Sequence, residues 1–186
     1  MSALFRVIFL VLTVPCFVAP AWSQEGSMSP VMGPIIKNDG PVIAPPPGSY
    51  NLDPDTHYKV SIDIGATAEF PGDKNRKLVS VARFLNMHAQ NGIPPENIDF
   101  AVIVHGQAAN DLLNDEAHSK RFNGPNPNAE LLTALKAAGV NIYLCSQTAA
   151  FRGMAPEEFH PSVTMALSAM TAHVRLQHEG YTLIPF

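Results

Sequence analysis

The sequence is short of cysteine, of charge and of long apolar runs, and each shortage removes a class of protein. Two cysteines, Cys16 and Cys145, among 186 residues cannot build the disulfide framework of a small secreted scaffold. No tight Cys/His cluster surrounds either of them, so no metal site is expected. Charged residues make up 15% of the chain, with 12 Lys+Arg against 16 Asp+Glu, a balance that argues against nucleic acid as a partner. The main apolar run, Val7 to Val18, covers about a dozen residues where a membrane-spanning helix takes about 20. Pro15 and Pro20 would disturb such a helix. Gly65-Ala66-Thr67 is too thin for a nucleotide fingerprint, and no cofactor, flavin included, is expected.

What the short run does fit is a signal peptide. Arg6 supplies the positive charge, Val7 to Val18 the apolar segment, and Ala21 and Ser23 the small side chains at the two positions a signal peptidase reads. Cleavage is expected after Ser23, leaving Gln24 first, the protein periplasmic or secreted, and no membrane span in the mature form. Pro15 stands before Cys16 where a lipoprotein signal has a small residue. Cleavage removes Arg6 and Cys16 and no acidic residue, leaving 11 Lys+Arg against 16 Asp+Glu and a net charge of −5. Cys145 is then a lone thiol in a compartment where thiols are normally paired. It is either a small buried hydrophobe or a thiol that reacts or bridges between molecules.

Residues 24 to 56 are rich in Pro and Gly (Gly33-Pro34, Gly40-Pro41, Pro45-Pro46-Pro47-Gly48) and poor in charge and helical periodicity. They read as an N-terminal arm, either short strands lying on the domain or on a neighbouring subunit, or a disordered tether. From residue 57 to 186 the texture is that of one domain. Tyr58 to Ile64 alternates strictly, Tyr58, Val60, Ile62 and Ile64 on one face and Lys59, Ser61 and Asp63 on the other, the period of a strand. After Pro71-Gly72-Asp73, Leu78, Val81, Ala82 and Leu85 follow helical spacing until Asn91-Gly92. Phe100 to Val104 is continuously apolar, as in a strand covered on both faces. A short helix is predicted over Asn110 to His118. A better one is capped by Asn128, with Leu131, Leu132 and Leu135 inward and Gly139 at its end. Val140 to Leu144 is a third strand, Gln147 to Arg152 a helical turn and Val163 to Leu167 a fourth strand. A helix over Ala169 to Glu179 and a last strand over Tyr181 to Ile184 complete the pattern.

Strand and helix alternate throughout. The expected fold is an α/β, flavodoxin-like sandwich with a mostly parallel five-stranded sheet, right-handed crossovers and helices on both faces. In such sheets ligands bind beyond the carboxyl ends of the strands. His105-Gly106 falls there after the second strand and Cys145 after the third, so imidazole and thiol approach each other if those strands are neighbours. A helical turn directly after Cys145 would turn its first N–H groups and partial positive charge on the sulfur and favour the thiolate, with Arg152 adding a cation if it folds back. His105 is a candidate proton acceptor, Gln147 and Arg152 candidate binding residues, and Asn126, between Pro125 and Pro127, a turn residue or a ligand. His88, His118, His173 and His178 read as helix-surface residues with no assigned role.

Cys145 followed by Ala149-Ala150 and Arg152-Gly153 resembles the Cys-x-x-x-Ala-x-x-Arg-Gly region of the DsrE/DsrF/TusD sulfur-relay proteins. The likeness continues in Ile103-Val104-His105-Gly106, in Asn126 and Leu131-Leu132-x-x-Leu135 before Ala138-Gly139-Val140, and in Gln177-x-Glu179-Gly180-Tyr181, over most of residues 57 to 186. The resemblance implies a DsrE-like α/β sandwich that assembles into dimers, trimers or hexamers. It also implies that Cys145 holds a persulfide and exchanges sulfur with a donor or acceptor protein. A signal peptide and a Pro-rich arm set the chain apart from the cytoplasmic relay members and make it similar to the exported branch of the family. The alternative is an oligomeric binding module in which Cys145 is buried and inert, and the accessibility of one sulfur atom separates the two.

Overall fold

The alternating segment forms β1 (Tyr58–Ile64) over the whole of its predicted span. Val60, Ile62 and Ile64 are buried on one side, and Lys59, Ser61 and Asp63 occupy the other. The computed structural model describes residues 29–70 and 72–185. The signal peptide read over residues 1 to 23, with its cut after Ser23, lies outside the described residues, as does Pro71. Beyond β1 come α1 (Arg76–Gln90), β2 (Ile98–Val104), α2 (Asp115–Phe122), α3 (Ala129–Ala137), β3 (Asn141–Cys145), α4 (Ser146–Phe151), β4 (Val163–Ala166), α5 (Ala169–His178) and β5 (Thr182–Ile184).

The five strands form one sheet in the order β4-β3-β2-β1-β5, every pair parallel. This winding decides where the helices go. From β1 to β4 the chain steps across the sheet in one direction, so right-handed crossovers stack their helices on one face. The step from β4 to β5 runs back the other way and puts α5 on the opposite face. The packing agrees. Phe100, Val102 and Val104 join Leu78, Val81, Leu131, Leu132 and Leu135 in the main core, whereas Ala101 and Ile103 join Ala172 and Leu176 of α5 in a second cluster of four buried residues, with the half-buried Tyr143, Ala166, Ala169 and Tyr181 packed against it. One face is thickly covered and the other thinly.

Two local expectations are corrected. The helix predicted over Asn110 to His118 is broken: a 3₁₀ segment, Gly106–Leu112, is followed by extended Leu113, and α2 starts afresh after Asn114. Leu113 bridges Phe159, and the Asn114 side chain accepts from the Ala117 N–H at 2.8 Å. A distant pairing and a strong N-cap interrupt what looks locally continuous. Asn128 does precede α3, but its side chain does not cap it. Its carbonyl oxygen accepts from the Asn75 N–H at 2.8 Å, tying α3 to the start of α1. The other element ends shift by a residue or two.

The arm lies on its own domain. Val31 and Val42 form an isolated bridge, and Asn86 of α1, with no exposure to solvent, holds the loop between them. Its Oδ1 accepts from the N–H groups of Ile35 (3.1 Å) and Ile36 (2.8 Å). Its Nδ2 donates to the carbonyls of Ile36, Asp39 and Gly40 at 2.9 to 3.0 Å. Lys74 pairs with Asp39 at 2.8 Å. Gly40 has φ +69 and lies so close to the backbone of Ala82 and Arg83 that no Cβ fits. Of the histidines read as surface groups, His88 is buried, stacked on Phe84 with ring centres 3.8 Å apart. His118 is buried as well and bonds the Gly124 carbonyl at 2.7 Å. Among the described residues no helix is long and apolar enough to cross a membrane.

Candidate functional site

Three side chains with chemistry stand at the carboxyl edge of the sheet: Asp63 one residue from the end of β1, His105 directly after β2, and Cys145 at the end of β3. The register pairs Asp63 with Ile103 and Ile103 with Tyr143. Odd-numbered positions on these strands therefore share the thinly covered face, the one crossed by α5.

Cys145 is 7% exposed and immediately precedes α4. Burial raises its pKa, but donation by the N–H groups of Thr148, Ala169 and Gln147 and by the Thr148 hydroxyl outweighs this and holds the thiol below its ordinary value. These donors come from the starts of two helices, α4 and α5. Local bonds bring them together: the Ser146 hydroxyl donates to the Ala166 carbonyl at 2.6 Å and the Gln147 side chain to the Leu167 carbonyl at 3.5 Å. The Thr148 Oγ1 accepts from the Gly106 N–H at 3.2 Å, leaving its own proton for the sulfur.

β2 and β3 are neighbours, the condition for His105 and Cys145 to approach. The imidazole, however, is engaged on its other side: His105 Nε2 lies 3.0 Å from Asp63 Oδ2. The link from its segment to the thiol runs through Gly106 and Thr148. The other oxygen of Asp63 bonds His173 Nε2 of α5 at 2.7 Å. Burial raises the Asp63 pKa, and the hydrogen bonds and field of His173 and His105 more than reverse this, so the carboxyl titrates below its usual range. His105 packs on Gly65, where a Cβ would stand 2.8 Å from its Cε1, and Gly106 has φ +58 with its Cβ position 2.8 Å from the Gly65 carbonyl oxygen. Two facing glycines thus let the loops after β1 and β2 meet.

The remaining candidates fall elsewhere. Gln147 contributes its backbone to the thiol. Arg152 is exposed at the end of α4 remote from Cys145. Asn126 is buried and turned inward: it donates to the Asp111 and Leu113 carbonyls at 2.9 and 2.6 Å and accepts from Asn128. The sequence reading missed Thr148, Asp63 and His173. Asp63 had a signal, a carboxylate one residue from a strand's carboxyl end on its polar face. His173, read as a surface group, had none. Among the described residues no group of three or more His, Cys, Asp or Glu side chains is arranged to hold a metal. A largely apolar groove of about 260 Å³, floored by Tyr143, Thr164 and Ala166 and walled by Thr171 and Arg175, runs beside α5, and Ala166 is the register partner of Cys145. Leu167 just before α5 and Met170 and Val174 on it are exposed apolar side chains, and Phe151 at the end of α4 is 91% exposed.

A model of the DsrE/DsrF-like family matches residues 62–186. Among solved structures, the chain is similar to a protein of unknown function from Methanobacterium thermoautotrophicum, MTH1491. The identity is 23%, with 68% of this chain and 97% of that one covered and a TM-score of 0.53, a likeness of fold. It also aligns with the ychN protein from E. coli at 16% identity, covering 68% of this chain and 99% of that one, with a TM-score of 0.48. No curated protein matches it.

Proposed function

Because the chain belongs to the DsrE/DsrF-like family, which is linked to sulfur relay, we propose that it carries sulfur as a persulfide on Cys145. The observation that carries this reading is the sulfur's setting, among donors from the starts of α4 and α5 that favour the thiolate. The Cys145 thiolate attacks the outer sulfur of a donor persulfide, R–S–SH. The new S–S bond forms as the donor's S–S bond breaks, and the donor leaves as a thiolate that takes up the proton Cys145 gave away. No oxidant or reductant is consumed, and the same exchange in reverse delivers sulfur to an acceptor thiol.

The protein works outside the cytoplasm in this reading, supported by the signal-peptide anatomy of residues 1 to 23. It works as a homo-oligomer, supported by the exposed apolar side chains of Leu167, Met170 and Val174. A second reading, a binding module with an inert cysteine, is favoured by the 7% exposure of Cys145. The test is alkylation of the native protein across pH, followed by incubation with inorganic polysulfide and peptide mass analysis. Rapid alkylation with an apparent pKa below about 8.5 and an adduct of about 32 Da on Cys145 support carriage. A thiol that reacts only after unfolding overturns it in favour of the module.

A further inference from the structure

One carboxylate at this site does two jobs at once. Asp63 Oδ1 accepts from His173 of α5 at 2.7 Å, and Asp63 Oδ2 from His105, beyond the end of β2, at 3.0 Å. Both rings spend Nε2 on it, so when neutral both carry their proton there and leave Nδ1 bare. α5 matters to the thiol because it begins three residues after Ala166, the register partner of Cys145, and the Ser146 and Gln147 side chains beside the sulfur hold the Ala166 and Leu167 carbonyls that lead into it. His173 lies four residues after its first residue, Ala169, one turn along the same side of the helix. The apolar seat of the helix is the smaller of the two clusters, four buried residues, Ala101, Ile103, Ala172 and Leu176, with Tyr143, Ala166, Ala169 and Tyr181 packed against them, and the polar clamp adds to it in setting where the helix sits.

We propose that Asp63 is a positioning residue for the thiol: through His173 it pins α5 to β1 and so keeps the start of that helix beside Cys145, while its other oxygen holds the His105 ring. The inference rests on the sulfur-carrier reading and names the parts that regulate its reactivity. The charged and titratable groups around the clamp are few. Lys77 of α1 donates to the Asp63 backbone carbonyl at 3.0 Å, Tyr143 of β3 lies on the same sheet face, and on α5 Arg175 pairs with Glu179 at 2.8 Å. Removing the carboxylate charge frees α5 to shift, the start of the helix leaves the sulfur, and the thiol drifts back toward its ordinary pKa.

The test is the pH profile of Cys145 alkylation in Asp63→Asn, His173→Ala and His173→Gln, each checked for folding by circular dichroism. Asp63→Asn and His173→Ala are expected to slow alkylation near about pH 7 by roughly fivefold, with the rate restored at high pH, the signature of a raised thiol pKa. His173→Gln keeps an amide N–H able to reach Asp63 and is expected to retain the wild-type profile. A general loss of packing would lower the high-pH rate or spare no variant. Profiles identical to wild type in folded Asp63→Asn and His173→Ala overturn the clamp and leave sulfur carriage standing. A wild-type thiol that is inert when native overturns both. If Asp63→Asn does not fold, the His173 pair decides: Ala and Gln behaving alike overturns the clamp.

Discussion

Asn86→Ala removes the group that fastens the arm, and its cost can be worked from the bonds lost. Two backbone N–H groups, of Ile35 and Ile36, lose an acceptor, and three carbonyls, of Ile36, Asp39 and Gly40, lose a donor. Each such hydrogen bond is worth about 1 kcal/mol net. The bifurcated amide N–H groups are weaker per bond, so the sum is about 3–5 kcal/mol if the arm stays docked with its polar groups stranded. If the arm peels away to reach water the thermodynamic loss is smaller, and Lys37 is released from the folded surface. The assay therefore has two readouts on one variant: the urea midpoint, and the rate at which trypsin cuts after Lys37. The expected result is a large fall in midpoint, or a small fall with rapid cleavage. A loss under about 1 kcal/mol with Lys37 as resistant as in the wild type would refute the idea that this amide holds the arm.

Three further outcomes follow from the site and its loops. Thr148→Val deletes a hydroxyl donor to Cys145 and an acceptor for the Gly106 N–H. It should move the alkylation profile of Cys145 upward by about half a pH unit or more, and an unmoved profile rejects the Thr148 contact. Gly106→Ala forces a Cβ onto the Gly65 carbonyl at positive φ. It should cost about 1–3 kcal/mol in thermal or urea unfolding, and an unchanged midpoint shows that the loops after β1 and β2 are not so tightly apposed. Asp63 has a folded pKa below its unfolded one, so its contribution is present above the unfolded value of about 3.9 and is lost as pH falls through the folded value. Asp63→Asn should therefore flatten the fall in stability below about pH 4. An equally steep fall in the variant would show that its histidine bonds do not stabilise the fold.

Most of the fold was legible because it is written locally. The two-residue alternation of β1, the unbroken apolar run of β2 and the Leu131, Leu132, Leu135 spacing each depend on one element meeting one layer. The helix across Leu113 failed because Leu113 answers to Phe159, far along the chain, although Asn114 followed by Asp115 and Glu116 is itself a helix-start signal. The site divides the same way. Cys145 and His105 could be found because each ends a strand. Asp63 and His173 could not be joined, because only the crossover from β4 to β5 lays α5 over β2 and β3, where His173 reaches across to β1, and nothing near His173 announces it. His88 and His118 misled because burial by an aromatic neighbour or a loop carbonyl leaves no periodic trace. The arm stayed open between strand and tether because its partner, Asn86, is one polar residue inside an otherwise apolar stripe.

The winding of the sheet also makes one pairing far more distant in sequence than the rest. β1 to β4 build outward one after another, while β5 must return across the sheet to the free edge of β1, where three residues, Thr182, Leu183 and Ile184, pair with it. Closing so long a connection costs more chain entropy than any other pairing in the sheet. The edge of β1 is therefore closed by the shortest strand of the sheet, across the longest stretch of chain that any of its pairings spans.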